Sequence, residues 1–285
     1  MIDNFIVKVF AAGILSALQT QLVYGNPEII NNKYEGEIAN GGDTVKIRTL
    51  GDVTIDDYDR NTDMAAPETL SDAALELKID QEKSFNFQED DLDALQADAD
   101  LSAEAEQRVA YGLRKEMDSF IASLHTDIDT GNFVGTDASP KTDLGTAGQA
   151  YKYLTDLGVL LDESDTPEED RWAIVPPWYH QQLELDTRFT GFGTAENRAT
   201  LANGKIGMAA GFTIYKSNQV PYVTSTTKFK VIGGHKMAWS KAEQLVKTEK
   251  YRLERRFADG VKGLHVYGAK VIRPSNLAVA VCNRP

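Results

Sequence analysis

The chain has 285 residues, of which 42% are hydrophobic, and its formal net charge is −13 at pH 7. This composition is typical of a folded protein and excludes a chain that is disordered throughout. A single cysteine, Cys282, excludes a disulfide scaffold, and the acidic balance argues against a reader of nucleic acid, which needs a basic surface.

The charge is unevenly distributed along the chain. Residues 1–170 contain 12 Lys or Arg and 36 Asp or Glu, whereas residues 171–285 contain 18 and 7. This asymmetry favours complementary surfaces, within one molecule or between copies, over the alternative of solvated faces that never meet.

Residues 9–27 carry no charge and begin with an apolar run. Polar residues at 16 and 19–21 interrupt the run, so it is too short to span a membrane, and it lacks the basic start and cleavage site of a secretory signal. Apolar residues at helical spacing instead predict an amphipathic arm that packs on a partner.

Alternating apolar residues and turn signals predict strands over 34–58, followed by another near 74–79. Residues 31–93 hold 17 acidic and 6 basic residues and few apolar ones. An isolated ribbon of this kind is marginal in water, so we expect it to lie on a partner or on its own core.

The clearest helix is predicted over 101–128, and a shorter one over 147–161. The apolar stripe of the first helix predicts that one face is buried against the closing strands; its members are Val109, Leu113, Met117, Phe120 and Leu124. Further elements are expected in this order: a strand at 171–175, a helix at 178–186, a Gly-rich loop at 187–211, strands within 211–240, and two or three strands over 251–281 turning at Asp259-Gly260 and Arg273-Pro274. The fold class is therefore α+β.

No catalytic motif of the G-x-S-x-G, H-E-x-x-H or C-x-x-C type occurs, and the four histidines lack metal-ligand spacing. We therefore predict no enzyme and no cofactor. The enzyme alternative is an uncharacterised hydrolase that uses His180 or His235, although no nucleophile is recognisable beside them.

Asp57, Asp59, Asn61 and Glu68 occupy positions 1, 3, 5 and 12 of an EF-hand calcium loop. Thr62 stands where the sharp turn needs glycine, and the flanking segments are predicted strands instead of helices. The pattern is thus a weak calcium candidate, and a solvated loop is favoured.

Several stretches in a fixed order are informative, although none is a catalytic signature. They are LVYGN, NKYEGEIANGGDTVKI and DYDRNTD near the start, FNFQEDDLDALQ before the long helix, RWAIVPPWYHQQLELDTRF and GMAAGFTIYKSNQVP in the middle, and GLHVYGAKVIRPSNLAVAV near the end. Together they resemble the major capsid (coat) proteins of tailed bacteriophages, which share the Hong Kong 97-type fold.

The resemblance implies a structural protein that self-assembles into hexamers and pentamers of an icosahedral head around double-stranded DNA. It also implies five regions: an N-terminal arm (1–30), an extended β-ribbon loop (31–93), a peripheral domain with the spine helix (94–146), an axial domain (147–240) and closing strands (241–285). An encapsulin-like nanocompartment shell, which has the same fold, is the alternative.

The ribbon pattern begins near residue 31 and leaves no room for a long scaffolding segment, so the expected partners are a separate scaffolding protein, a portal and possible decoration proteins. Packaged DNA is expected to be contacted only non-specifically, no membrane is involved, and the protein is expected to be made in the host cytoplasm and to end in the virion. Some relatives form a Lys–Asn crosslink; Lys33, Lys46 and Asn283 are candidates that nothing singles out, and no crosslink is predicted.

Contacts between subunits are predicted from charge. The acidic ribbon is expected to dock on basic groups of a neighbouring subunit, densest around Lys247 and the residues that follow. The candidates are Asp57 and Asp59 on the ribbon and Arg188, Arg198, Lys250, Arg252, Arg255 and Arg256 on the basic side.

Overall fold

The computed structural model describes residues 22–33, 44–50, 60, 72–90, 101–146, 148–185, 205–223, 228–254 and 257–285. Within them the helices are α1 (Leu101–Ser123), α2 (Gln149–Glu163) and α3 (Pro177–Glu184). The strands are β1 (Thr44–Leu50), β2 (Asp72–Lys78), β3 (Gln81–Asp90), β4 (Phe133–Val134), β5 (Arg171–Val175), β6 (Lys205–Ala209), β7 (Phe212–Lys216), β8 (Lys228–His235), β9 (Trp239–Arg252), β10 (Ala258–Val271) and β11 (Leu277–Asn283). The predicted α+β class is confirmed.

A mixed six-stranded sheet has the order β4-β11-β8-β5-β7-β6. Its inner strand β5 is buried along all five residues, because helices or other elements cover both faces. On one face, apolar residues of α2 and α3 pack against alternate sheet residues such as Ala173 and Val175. The opposite face contributes Trp172 and Ile174 to a second core shared with α1.

Helix α1 presents a buried stripe to that second core. Leu113 and Met117 of the predicted stripe are buried, whereas Val109, Phe120 and Leu124 are half-buried. The ring of Phe120 lies 5.6 Å from that of Tyr267 in β10, so the predicted packing on the closing strands is confirmed. The α-helix ends at Ser123 and continues as a 3₁₀ turn over Leu124–Asp127, earlier than the predicted end at residue 128.

A second sheet has the order β3-β10-β9. Its strand β3 was expected within the ribbon loop over 31–93, but it pairs antiparallel with β10 instead of with β1 or β2. Phe85 and Phe87 pack against the core that contains α1, and this apolar face explains why the strand joins the sheet. The two-stranded ribbon described by the structure is therefore β1 with β2.

Two other expectations were wrong in detail. The loop predicted over 187–211 contains strand β6 at 205–209, which pairs with β7 through a tight turn at Ala210 and Gly211, both with positive φ. The chain does not turn at Asp259-Gly260 either, because β10 begins at Ala258 and runs through them. Gly260 serves a close approach instead, since a Cβ there would lie 2.5 Å from the Tyr251 ring.

Candidate assembly surfaces

The segment 22–33 is held on α1 by one buried carboxylate. Asp118 accepts hydrogen bonds from the backbone N–H of Val23 at Oδ2 and of Gly25 at Oδ1, both at 3.1 Å. Burial raises the pKa of the Asp118 carboxyl to about 6, although these hydrogen bonds and the charge of Arg114 act in the opposite direction. A single side chain on the long helix thus fixes where the N-terminal segment enters the subunit.

The same segment is part of the core. Leu22 and Tyr24 are fully buried, and the Tyr24 ring packs edge-on against Trp239 at 6.2 Å. Trp239 stacks on Trp172 at 5.0 Å and donates its indole N–H to the carbonyl oxygen of Ile29. The expected division of an arm at residues 1–30 therefore does not follow the packing, because the part from Leu22 onward belongs to the subunit interior.

A pocket of about 320 Å³ lies beside this segment, between Glu28 and the start of β5. Two of its charged residues have partners: the Tyr215 hydroxyl donates to Glu28 at 2.5 Å, and the Arg171 guanidinium lies 2.7 Å from Asp162 at the end of α2. The two pairs tie the N-terminal segment and the end of α2 to the sheet, which is a structural use of these charges.

The base of the ribbon packs on the second sheet. Val45 and Ile47 of β1 and Leu77 of β2 are buried with Ala242 and Val266. The ribbon approaches β10 so closely that a Cβ on Gly268 would lie 2.2 Å from the carbonyl oxygen of Lys78, which explains the glycine. The ribbon is thus anchored at its base to its own subunit.

Three ionisable side chains are buried on β9 and β10, on the sheet face that also carries Tyr267. The Lys241 ammonium lies 2.7 Å from Glu243 Oε1, and His265 Nε2 lies 3.5 Å from Glu243 Oε2. Burial alone would raise the pKa of Glu243, but His265 and the charge of Lys241 outweigh it and lower that pKa. A buried pair of this kind fixes local geometry more than it adds stability.

The histidines of the hydrolase alternative have structural surroundings. Burial lowers the pKa of His180, whose Nδ1 lies 3.8 Å from Glu184 one helical turn away. Burial also lowers the pKa of His235, whose Nδ1 accepts the backbone N–H of Met237 and so caps the following 3₁₀ turn. These contacts orient each ring towards its own chain segment.

Across the described ranges, no cluster of three or more His, Cys, Asp or Glu side chains has a geometry that could hold a metal ion. No helix in that part of the chain is long and apolar enough to cross a membrane. The four calcium candidates, Asp57, Asp59, Asn61 and Glu68, lie outside the described residues.

A family model for phage capsid proteins matches residues 77–280, which is well over half of the chain. The chain belongs to the phage capsid protein family. No curated protein matches the sequence of this capsid protein.

Solved structures agree with this assignment. The capsid protein is similar to a chain of Mycobacterium phage Che8 with 25% identity and a TM-score of 0.66, covering 91% of each chain. It is similar to the capsid of the cyanophage P-SCSP1u with 17% identity and a TM-score of 0.68, covering 93% of this chain and 89% of the other. The SrpI encapsulin of Synechococcus elongatus shares the fold at 12% identity and a TM-score of 0.59, with 86% and 84% covered.

The protein is a structural major capsid protein with the Hong Kong 97-type fold, as the order of its sequence stretches predicted. It is a component of the virion head and associates with further copies of itself in the shell.

Most of the contact residues predicted from charge fall outside the described residues. They are Asp57, Asp59, Arg188, Arg198, Arg255 and Arg256. Lys250 and Arg252 are described, and both bind Asp259 of the facing strand at 2.9 Å. These salt bridges lower the pKa of Asp259 and bring the two predicted basic residues together at one end of the β9–β10 hairpin.

The sequence analysis missed Asp118, Lys241, Glu243 and His265. Asp118 could have been detected from the sequence. It lies between Met117 and the Phe120–Ile121 pair of the apolar helical stripe, so it is expected to face the core with them. Lys241 and Glu243 show no such signal, because charged residues that alternate in a strand are typical of an exposed face.

Proposed function

We propose that the chain assembles into hexamers and pentamers of an icosahedral phage head enclosing double-stranded DNA, and that it catalyses no reaction. The observation that carries the proposal is the β1–β2 ribbon. At its base Val45, Ile47 and Leu77 are buried, whereas the side chains that alternate with them are exposed, namely Thr44, Lys46, Glu76 and Lys78. The base of the ribbon is thus fixed to its own subunit, which supports the proposal that the ribbon contacts a neighbouring subunit.

Charge supports a specific docking mode. The region 31–93 holds 17 acidic residues, and the predicted basic groups lie in the half of the chain with 18 Lys or Arg. At the hairpin end, Lys250 and Arg252 both bind the carboxylate of Asp259. We propose that the acidic ribbon of one subunit docks on such groups of the next.

The remaining partners follow from the same assignment. A separate scaffolding protein and a portal are proposed for assembly in the host cytoplasm, and a decoration protein is compatible with it. The five regions expected from sequence stay a proposal, with the arm shortened to the residues before Leu22. An acidic subunit suits a DNA container, because a wall that bound the genome tightly would hinder packing and release.

The experiment is expression of the protein with and without a candidate scaffolding protein, followed by electron microscopy. Closed shells built of six-fold and five-fold capsomers are expected; a monomer at all concentrations, or one with enzymatic turnover, contradicts the proposal. Shells from infected cells that contain protein cargo and no DNA would favour the encapsulin alternative.

Docking is tested by charge reversal and salt. Arg255→Glu with Arg256→Glu should block shells while the subunit stays folded, and Asp57→Lys with Asp59→Lys should restore them if the pairing is specific. Exposed pairs are screened over about 8 Å at physiological salt, so assembly should also slow as salt rises. Assembly that ignores both reversals and salt contradicts the docking mode.

A further inference from the structure

The β9–β10 hairpin ends in an exposed aromatic side chain. Phe257 is 81% exposed, the highest value among the large apolar side chains that the structure describes, although its neighbour Ala258 is buried. The backbone N–H of Leu253 donates to the carbonyl oxygen of Ala258 and closes the turn just before the strand. Phe257 thus stands at the tip of a closed hairpin.

The stem of the hairpin, next to Phe257, is braced by its own residues. Asp259 binds Lys250 and Arg252 of the opposite strand at 2.9 Å each. One residue further along, Gly260 lies against the Tyr251 ring, and the Tyr251 hydroxyl donates to Asn86 of β3. Because the stem is already braced on both sides, a partner that covers Phe257 loses little binding free energy to ordering of the stem.

The charge around the tip indicates the partner. Residues 247–262 hold six Lys or Arg and three Asp or Glu, whereas the whole chain has a net charge of −13. A basic, aromatic tip on an acidic protein is complementary to another copy of the same protein. Aromatic anchors ringed by charged groups are also typical of the energetic centre of an interface.

We propose that Phe257 is an anchor by which the hairpin tip of one subunit docks on a second copy of this chain in the shell. The proposal rests on the proposed function, since it requires that the chain forms a shell. It adds a hydrophobic contact that the charge-based docking does not contain, and it assigns that contact to one side chain.

The test uses a thiol introduced at the tip. The natural Cys282 is fully buried, and burial raises the pKa of its thiol to about 12, so it does not react with maleimide in the folded protein. Phe257→Cys and, as the matched control at another exposed apolar residue, Met208→Cys are each labelled with a maleimide as free subunits and as assembled shells. Wild-type protein gives the background.

Labelling of the Phe257→Cys variant should slow at least tenfold on assembly, and by more than that of the Met208→Cys variant. Equal rates in subunits and shells, or a slowing no larger than the control's, would overturn the anchor. If wild type itself forms no shells, the proposed function is wrong. Assembly of wild type therefore tests the proposed function, and the variants test the anchor.

A second measurement, the subunit concentration needed for shells, applies also to variants that assemble poorly. Phe257→Ser should raise the subunit concentration needed for shells at least about tenfold, as expected on loss of an interface anchor, while the unfolding midpoint of the free subunit is unchanged. Phe257→Trp should restore assembly. Normal assembly of the Phe257→Ser variant, or an equal defect in Met208→Ser, would overturn the proposal.

Discussion

Replacing Asp118 with asparagine should change how the stability of the free subunit depends on pH. The wild-type carboxylate is buried on α1 and accepts two backbone N–H groups from the N-terminal segment. Asparagine keeps the shape and one acceptor oxygen but does not titrate. The difference between the two proteins therefore isolates the protonation of this one group.

The magnitude follows from the pKa of Asp118, which burial raises from 3.8 to about 6. Because the folded state binds the proton more tightly than the unfolded state, this group favours folding most below pH 3.8 and loses that contribution as pH rises through 6. A shift of about two units corresponds to about 3 kcal/mol, of which about 2 kcal/mol falls between pH 4.5 and pH 7.5.

The assay is urea unfolding of unassembled subunits at pH 4.5 and 7.5 for wild type and Asp118→Asn. Wild type should lose about 2 kcal/mol relative to the variant between these pH values. Glu163→Gln, at an exposed position of α2, is the matched carboxyl-to-amide control in the same assay. A wild-type-minus-variant difference that is the same at both pH values would refute the reasoning, because Asp118 would then titrate alike in both states.

Three further predictions concern the core. Leu113→Ala or Met117→Ala should lower the free energy of unfolding by about 2–5 kcal/mol, because both side chains are buried, whereas exposed Tyr111→Ala should cost less than about 1 kcal/mol in the same urea assay. A chain truncated before Gly25 should be less stable than one truncated before Leu22 by about 5 kcal/mol or more, because it lacks the buried Leu22, Val23 and Tyr24; equal midpoints for the two truncations would contradict this. Lys241→Met should lower the free energy of unfolding by about 3–5 kcal/mol, because it leaves Glu243 buried without its cation. The double variant Lys241→Met with Glu243→Leu should return to within about 2 kcal/mol of wild type. A double variant as unstable as the single one would show that the pair itself is needed.

The helices and the buried strand were predictable because their signal is local. Leu154, Leu157 and Leu161 repeat at helical spacing, and residues 172–175 form an apolar run after the acidic segment 162–170. The partner of β3 was not predictable, because strand pairing depends on contacts far along the chain: Phe85 lies beside Gly263, almost 180 residues later. Strand β6 was missed because Gly207 breaks its alternation.

Some residues of the candidate surfaces were likewise predictable from the sequence, and others were not. Lys250 and Arg252 were predictable as a basic group from their density in sequence, but their shared partner Asp259 lies on the next strand and emerges only from the register. The buried Glu243 could not be predicted, because the spacing of Lys241 and Glu243 is that of an exposed strand face. Which residues cover a strand depends on the tertiary fold, and the local sequence pattern does not show it.

The β9–β10 hairpin joins the features on which assembly is proposed to depend. At one end, Asn31 of the N-terminal segment exchanges backbone hydrogen bonds with Trp239 and Lys241. Next along β9, Ala242 holds the ribbon base while Glu243, whose side chain points to the other face, binds His265 and Lys241. At the far end stands Phe257. Substitutions near the start of the hairpin should therefore impair folding and assembly together, whereas substitution of Phe257 at its tip should impair assembly alone, because the Phe257 side chain is 81% exposed.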